Sequence, residues 1–314
     1  MYKKMLVPLD GSELAEVVFP YAKELAGRLD LDLIFLHVYG PDESEFAPMH
    51  RDYIQHACET VGRELEEVQE KTGGQPGSTE VEARCELAEG HPAENILRYA
   101  DENEIDLILM ATHGRSGFSR WAVGSVADKV VRASKVPVWL VRAGIPEEIV
   151  YDKWPTRTML VPLDGSKLAE LVLPHVKALA KQRGAELMDI VLLTVCEGST
   201  VVPAGQARLM YYDTRVSVDQ DEHLKQKMAQ RNREAEDYLA GVEKRLKDAG
   251  LKARSEVLWG NPADEIVAYA NRNPFNLIVM TTHALSGLSR WAMGSVADRV
   301  VRGVSRPVFL VRPR

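Results

Sequence analysis

Cysteine is scarce in this chain. Its 314 residues hold three, Cys58, Cys85 and Cys196, an odd number at wide spacing. No Cys-x-x-Cys pair and no His/Cys cluster accompanies them, so neither a disulfide framework nor a structural zinc site is expected. A reducing cytoplasm is the simplest compartment. Long apolar runs are also missing. Nothing is long enough to span a bilayer, and Met1-Tyr2-Lys3-Lys4-Met5 passes into a short apolar segment without a signal-peptide core, so no membrane association is expected. Positive charge is not in excess: 39 Lys+Arg face 46 Asp+Glu, a net charge of −7. That removes the electrostatic footprint of a nucleic-acid binder. There is no G-x-x-x-x-G-K-[S/T], no G-x-G-x-x-G and no G-x-S-x-G. No nucleophile–base pair can be assembled from the sequence, so the expectation is a protein that is not an enzyme.

What is present is an ordinary globular balance, 45% hydrophobic and 27% charged, over about twice a usual domain length. The chain is also written twice. Met5-Leu6-Val7-Pro8-Leu9-Asp10-Gly11-Ser12 returns as Met159-Leu160-Val161-Pro162-Leu163-Asp164-Gly165-Ser166. Gly90-His91-Pro92-Ala93 returns as Gly260-Asn261-Pro262-Ala263. Residues 111–142 align without a gap to 281–312, and 21 of those 32 positions are identical. The offset grows from 154 to 170 between these segments, so the second copy carries an insertion of 16 residues net. A period this long excludes a solenoid. Two homologous domains are expected, at 1–145 and 156–314, with residues 143–156 as linker. The halves differ in charge: residues 1–156 carry 16 Lys+Arg and 28 Asp+Glu, and residues 157–314 carry 23 and 18. Opposite net signs favour mutual docking, although the same charges also serve as solvated faces.

Each unit alternates strand and helix. In the first, strands are expected at Met5–Leu9, Leu31–Val38, Val81–Leu87, Asp106–Ala111 and Val136–Val141. Leu14, Val18, Tyr21 and Leu25 recur at helical spacing behind a Ser12 N-cap. Ile54, Cys58, Val61, Leu65 and Val68 mark a second helix, Pro92 opens a third, and Ser125–Ser134 forms the fourth. The second unit repeats the strands near Met159–Leu163, Ile190–Val195, Lys252–Leu258, Leu277–Thr281 and Pro307–Val311. Its long helix, near Val218–Ala249, carries Leu224, Met228, Leu239, Val242 and Leu246 on one stripe, and Glu197–Thr214 takes up the extra loop. The near-continuous apolar strands imply sheets covered on both faces. The fold class is α/β: two tandem, doubly wound, parallel five-stranded sheets of Rossmann-like type.

In such sheets ligands sit beyond the carboxyl ends of the strands, where strand order reverses. Three segments converge there. Asp10-Gly11-Ser12 follows the first strand, and its carboxylate can accept from a ribose hydroxyl or an adenine amine, or can simply help cap the next helix. His37-Val38 ends the second strand and offers main-chain groups to an adenine edge. Gly114-Arg115-Ser116-Gly117, then Gly124-Ser125 at a helix start, provides close backbone approach and free N–H groups for phosphate. Ser125 adds a hydroxyl and is itself a candidate N-cap.

The ordered set of Val-Pro-Leu-Asp-Gly-Ser, Gly-x-Pro-Ala, Ala111-x2-Gly114-x9-Gly124-Ser125 and a closing Pro-Val-x-Leu-Val strand, present twice, resembles the universal stress protein family over essentially the whole chain. The resemblance implies a tandem member, with ATP or a related adenine nucleotide as ligand. It implies that Asp10 contacts adenosine and that Gly114, Gly124 and Ser125 hold ribose and phosphates. Val38, Ala111, His113, Arg115, Gly117 and Val126 complete the expected site. Ala111 stands where the family pattern has its first glycine. The second unit reads Thr281-x2-Ala284-x9-Gly294-Ser295, so both leading glycines are gone while Asp164, Gly294 and Ser295 remain. The first site is therefore expected to bind better than the second. A Mg²⁺ or Mn²⁺ ion would be held mainly by the phosphates.

His113 and His283 occupy matching Thr-His steps, where loop stabilisation is the expected role. Arg120-Trp121 and Arg290-Trp291 offer either charge for phosphate or packing within the loop. The closing strands would be sheet edges needing cover. Family members pair them across a dimer, so the two domains are expected to pair with each other, with a homodimer as the other assembly. Rival readings are an ATP pyrophosphatase, which lacks its paired-glycine loop here, a nucleotide-independent scaffold for a protein or other small ligand, and a weak ATPase.

Overall fold

A computed structural model describes residues 2–72, 81–113, 123–142, 157–197, 218–282 and 293–313, with side chains omitted at 70–72 and 218–224. The interdomain segment 143–156 and the extra loop of the second unit fall outside these, as do Leu224 as a side chain and the predicted residues between 114 and 122 and between 283 and 292.

The first repeat runs β1 (Lys4–Leu9), α1 (Glu13–Glu16), α2 (Phe19–Leu29), β2 (Asp32–Tyr39), α3 (Ala47–Thr72), β3 (Ala83–Glu89), α4 (Pro92–Glu102), β4 (Leu107–Ala111), α5 (Ser125–Ala133) and β5 (Val138–Val141). The second runs β6 (Arg157–Pro162), α6 (Leu173–Arg183), β7 (Met188–Cys196), α7 (Val218–Lys247), β8 (Lys252–Trp259), α8 (Pro262–Arg272), β9 (Leu277–Thr281), α9 (Ser295–Gly303) and β10 (Val308–Val311). Strand order is β3-β2-β1-β4-β5-β10-β9-β6-β7-β8. Each repeat is thus a parallel five-stranded sheet, and the two are joined by one antiparallel pair, β5 with β10, into a single ten-stranded sheet. Val308, Phe309 and Leu310 stand opposite Leu140, Trp139 and Val138. The closing strands therefore cover each other's edges within one chain, as their apolar sequences require.

Two apolar layers sandwich the sheet, and each runs through both repeats. Val7, Leu25, Phe35, Val61, Leu179 and Leu239 belong to one layer, and Leu6, Ile96, Val130, Ile266 and Val300 to the other. At the junction the rings of Trp139 and Phe309, both fully buried, meet edge to face at 5.8 Å. Truncating such a side chain typically costs about 3–5 kcal/mol.

Three expectations need correction. The first predicted helix is two. Pro20 has no N–H to donate into the preceding turn, so α1 ends at Glu16 and α2 restarts at Phe19. Leu14 is only half-buried as a result. The third strand lies two residues later than expected and shows no inward–outward alternation; it is the sheet's edge, with Arg84, Cys85 and Glu86 exposed. The helix opening at Ser125 is capped by Gly124, not by Ser125, and Gly294 likewise caps α9 ahead of Ser295.

Pro8 has a specific place in this topology. The Lys4 carbonyl accepts from Asp106 N–H, so even-numbered main-chain groups of β1 face β4. Pro8 thus turns its missing donor toward β4, and β1–β4 pairing stops after Leu6 with Ile108. The two strands part there. Pro162 of β6 repeats the arrangement, with β6–β9 pairing ending at Leu160.

Candidate functional site

The opening between β1 and β4 is the mouth of a cleft of about 280 Å³. Asp10, Val38, Ala111, His113, Gly124 and Ser125 line it, with Val126 behind them. The structure therefore brings together, at the reversal of strand order, all the expected first-site residues that it describes. Gly114, Arg115 and Gly117 lie outside the described residues.

Asp10 stands just past β1. Its Oδ1 accepts from the Ser12 N–H at 3.0 Å and from the Ser12 hydroxyl at 2.6 Å. Ser12 Oγ in turn accepts from the Ala15 N–H at 3.2 Å, capping α1. The turn needs Gly11 at φ 82°, in the left-handed region. Asp10 is thus held by the turn whose cap it supports, and it also lines the cleft.

Gly124 is positioned differently. Its φ is ordinary, but its N–H donates to the Thr112 carbonyl at 2.7 Å, and a Cβ there would sit 3.1 Å from that same oxygen. Close backbone approach is what demands glycine. It sets the first N–H groups of α5 at the cleft, where the helix dipole favours an anion. His113 is joined to Thr112 Oγ1 by a 2.9 Å hydrogen bond through Nδ1, which fits the loop-stabilising role.

Beneath the cleft lies a feature that motif reading missed. His37 and His50 are 1% and 4% exposed. His37 Nδ1 donates to the Leu9 carbonyl at 3.0 Å, which fixes its tautomer in the neutral ring. Nε2 then accepts from His50 Nδ1 at 2.9 Å. His50 Nε2 lies 3.9 Å from a carboxylate oxygen of Glu43, which lines the cleft. Tyr39 stacks on His50 at 5.1 Å. The strand register, with Leu9 opposite His37, carries a hint of the first contact; His50 is reached only through the packing of α3.

The second repeat builds a wider cleft of about 750 Å³, lined by Asp164, Gly294 and Ser295 together with Arg231 and Tyr238 of α7. Asp164 Oδ1 accepts from Ser166 N–H at 2.9 Å, and Gly165 takes φ 81°. Where the first repeat has His37, the second has Thr194, whose hydroxyl donates to the Leu163 carbonyl at 2.9 Å. Tyr53 and Tyr238 are matched across the repeats. Burial, then Glu16 and Asp10, push the Tyr53 phenol above its ordinary range. Burial, then Glu170 and Asp164, do the same to Tyr238. Both phenols therefore stay protonated beside their site carboxylates. Among the described residues no group of three or more His, Cys, Asp or Glu is arranged to hold a metal, and no helix is long and apolar enough to cross a membrane.

Comparison with known proteins agrees with the duplicated pattern. The sequence profile of the universal stress protein family matches residues 1–142 and again 155–312. A universal stress protein of Mycobacterium bovis is 23% identical over 314 residues, covering 98% of this chain and 96% of that one. YxiE of Bacillus subtilis, also a universal stress protein, is 32% identical over 152 residues, covering 45% of this chain and all of its own. Among solved structures, a universal stress protein from Archaeoglobus fulgidus superimposes with a TM-score of 0.65 at 19% identity, covering 98% of this chain and 96% of its own. At that identity the likeness speaks for the fold alone.

Proposed function

The chain belongs to the universal stress protein family, and on that premise we propose that it is a cytoplasmic, non-enzymatic stress-response protein that binds ATP or a related adenine nucleotide, chiefly in the first repeat. One observation carries this reading. Asp10 and the Gly124-Ser125 start of α5 face each other across one cleft at the point where β1 and β4 diverge. In it the Asp10 carboxylate takes a ribose hydroxyl or adenine amine, main-chain groups at Val38 read the adenine edge, and the N–H groups opening α5 take phosphate, with Ala111, His113 and Val126 as walls. The cleft's volume is near the lower end of the ~300–1,000 Å³ range of small-molecule pockets, a size for the nucleoside. Mg²⁺ or Mn²⁺ would come with the phosphates.

The second cleft keeps Asp164, Gly294 and Ser295 but has Ala284 in place of a phosphate-loop glycine, and it binds the nucleotide more weakly. Domains 1–145 and 156–314 dock through β5 and β10, which supports a pairing inside the chain where single-domain relatives would dimerise; a homodimer of whole chains is the further assembly. Thermal melts of the full chain with and without ATP and Mg²⁺ test the reading. A ligand held only by the folded state raises Tm, and Asp10→Ala should remove the rise. No rise at millimolar ATP would leave a nucleotide-independent scaffold as the better reading.

A further inference from the structure

We propose that Cys58 of α3 and Cys85 of β3 form a redox modification site, a thiol pair that hydrogen peroxide converts into a disulfide stapling the helix to the sheet edge. Both are free thiols in this structure.

Their juxtaposition follows from register. β2 and β3 are parallel, so the connecting helix α3 runs back against them. A Cβ on Gly62 would lie 3.7 Å from the Ala83 Cβ, which fixes where helix and strand meet. Four residues back along α3 is Cys58, about 6 Å away at 1.5 Å per residue. Two residues on along β3 is Cys85, about 6.6 Å away and on the same face. The contact that brings Gly62 to Ala83 therefore brings Cys58 to Cys85. The thiols do sense each other: burial, then the Cys85 thiol, push Cys58 up to about 12.

The two differ in access, and that sets the order of events. Cys85 is exposed on the edge strand, whereas Cys58 is buried at the wall of an 830 Å³ groove between α3 and β3 that Gly62 and Ala83 also line. Cys85 meets the peroxide first. Its sulfur takes one peroxide oxygen as the O–O bond breaks, giving a sulfenic acid, and the other oxygen leaves as water. The Cys58 sulfur then attacks the Cys85 sulfur. The S–S bond forms, the S–O bond breaks, and the departing hydroxide leaves as water with the Cys58 proton. Two thiols are oxidised and one peroxide is reduced to two waters. A thiol reductant reverses the product by exchange. Cys196, at the end of β7 in the far half of the sheet, takes no part.

The test uses the full chain treated with hydrogen peroxide, then denatured, alkylated and mapped by mass spectrometry. Alkylatable thiols should fall from three to one, with a Cys58–Cys85 linked peptide pair two hydrogens lighter than its parts, and dithiothreitol should restore all three. Cys196→Ser should leave the link unchanged. Cys58→Ser should trap Cys85 as a dimedone-reactive sulfenic acid. The wild-type peptide map needs no variant, so misfolding of a variant would not shield the proposal. Three thiols surviving peroxide, a link between different chains, or oxidation of Cys85 to sulfinic acid without a link would each overturn it.

Discussion

Arg312 donates from Nη1 to the main-chain carbonyl of Ala133 at 3.0 Å, so the residue that follows β10 holds the last turn of α5 in the other repeat. The contact is reciprocated: Arg142, following β5, donates to the carbonyl of Arg302 in α9 at 2.8 Å. A cation at a helix C-terminus also complements the dipole. Each helix that begins at a candidate phosphate site thus ends in the grip of the opposite repeat. On the proposed reading, these contacts would join occupancy of either cleft to the docking of the two halves.

Removing these guanidinium groups should therefore loosen the junction. Hydrogen bonds from charged donors contribute roughly 1.5–3 kcal/mol each. Arg142→Ala with Arg312→Ala should lower the unfolding free energy by about 3–6 kcal/mol in total, read by urea unfolding. Unchanged stability in the double variant would show that the β5–β10 ladder and the Trp139–Phe309 contact suffice alone.

Two glycines should respond in different ways. At Gly165 a Cβ meets nothing within 4 Å, and only φ 81° is demanding. Gly165→Asn should cost little, because Asn tolerates the left-handed region, whereas Gly165→Ala should cost about 1–2 kcal/mol. At Gly124 the obstacle is the Thr112 carbonyl, so Asn offers no relief over Ala, and both should destabilise by about 1–3 kcal/mol as overpacking does. Equal responses at the two sites would contradict the distinction.

The buried histidine pair can be tested by copying the other repeat. His37→Thr should keep a donor for the Leu9 carbonyl, as Thr194 does for Leu163, but it strands His50 Nδ1. A buried polar group left unmatched costs about 1–3 kcal/mol. Replacing both, His37→Thr with His50→Leu, should be less damaging than the sum of the two singles. Strict additivity in this cycle would mean that the 2.9 Å contact carries no coupling.

Acid sensitivity should be traceable to His175. Burial holds its imidazole below the ordinary range, and its Nδ1 shares a 2.6 Å hydrogen bond with the Tyr2 hydroxyl. The unfolded chain takes up a proton near pH 6.5, the ordinary histidine value, and the folded chain only at lower pH. The unfolded state binds more protons in that window, so this contribution is present above about pH 6.5 and is lost as pH falls. Tm should fall between pH 7 and pH 5, and by less in His175→Gln. A variant with the same or a steeper fall would refute the assignment.

Much of this architecture was open to sequence reading because parallel strands covered on both faces are nearly unbroken apolar runs. Leu33–Leu36 and Ile190–Leu193 are instances, and the exposed-edge argument together with the family resemblance pointed to pairing of the closing strands, though not to the register that sets Trp139 opposite Phe309. What escaped depended on groups that periodicity does not weigh. Leu14, Val18, Tyr21 and Leu25 keep helical spacing across a break that Pro20 imposes through a missing N–H. Ser125 is the better cap by preference, yet the 2.7 Å bond from Gly124 to Thr112 decides the helix start. The alternation of Val81–Leu87 is legible, but the bounds of β3 follow from its ladder with β2, Ala83 to Glu89, which periodicity does not show. His37 and His50 are thirteen positions apart and meet only when α3 packs on β2.

The central claim is a nucleotide site in the first repeat stronger than its counterpart in the second. Calorimetric titration of ATP with Mg²⁺ into the full chain, alongside Gly124→Val and Gly294→Val variants shown to be folded by circular dichroism, measures it most directly. Binding that is lost in Gly124→Val and largely kept in Gly294→Val is the expected result. No heat at high micromolar ATP, or equal binding by Gly124→Val and the unaltered chain, would contradict it.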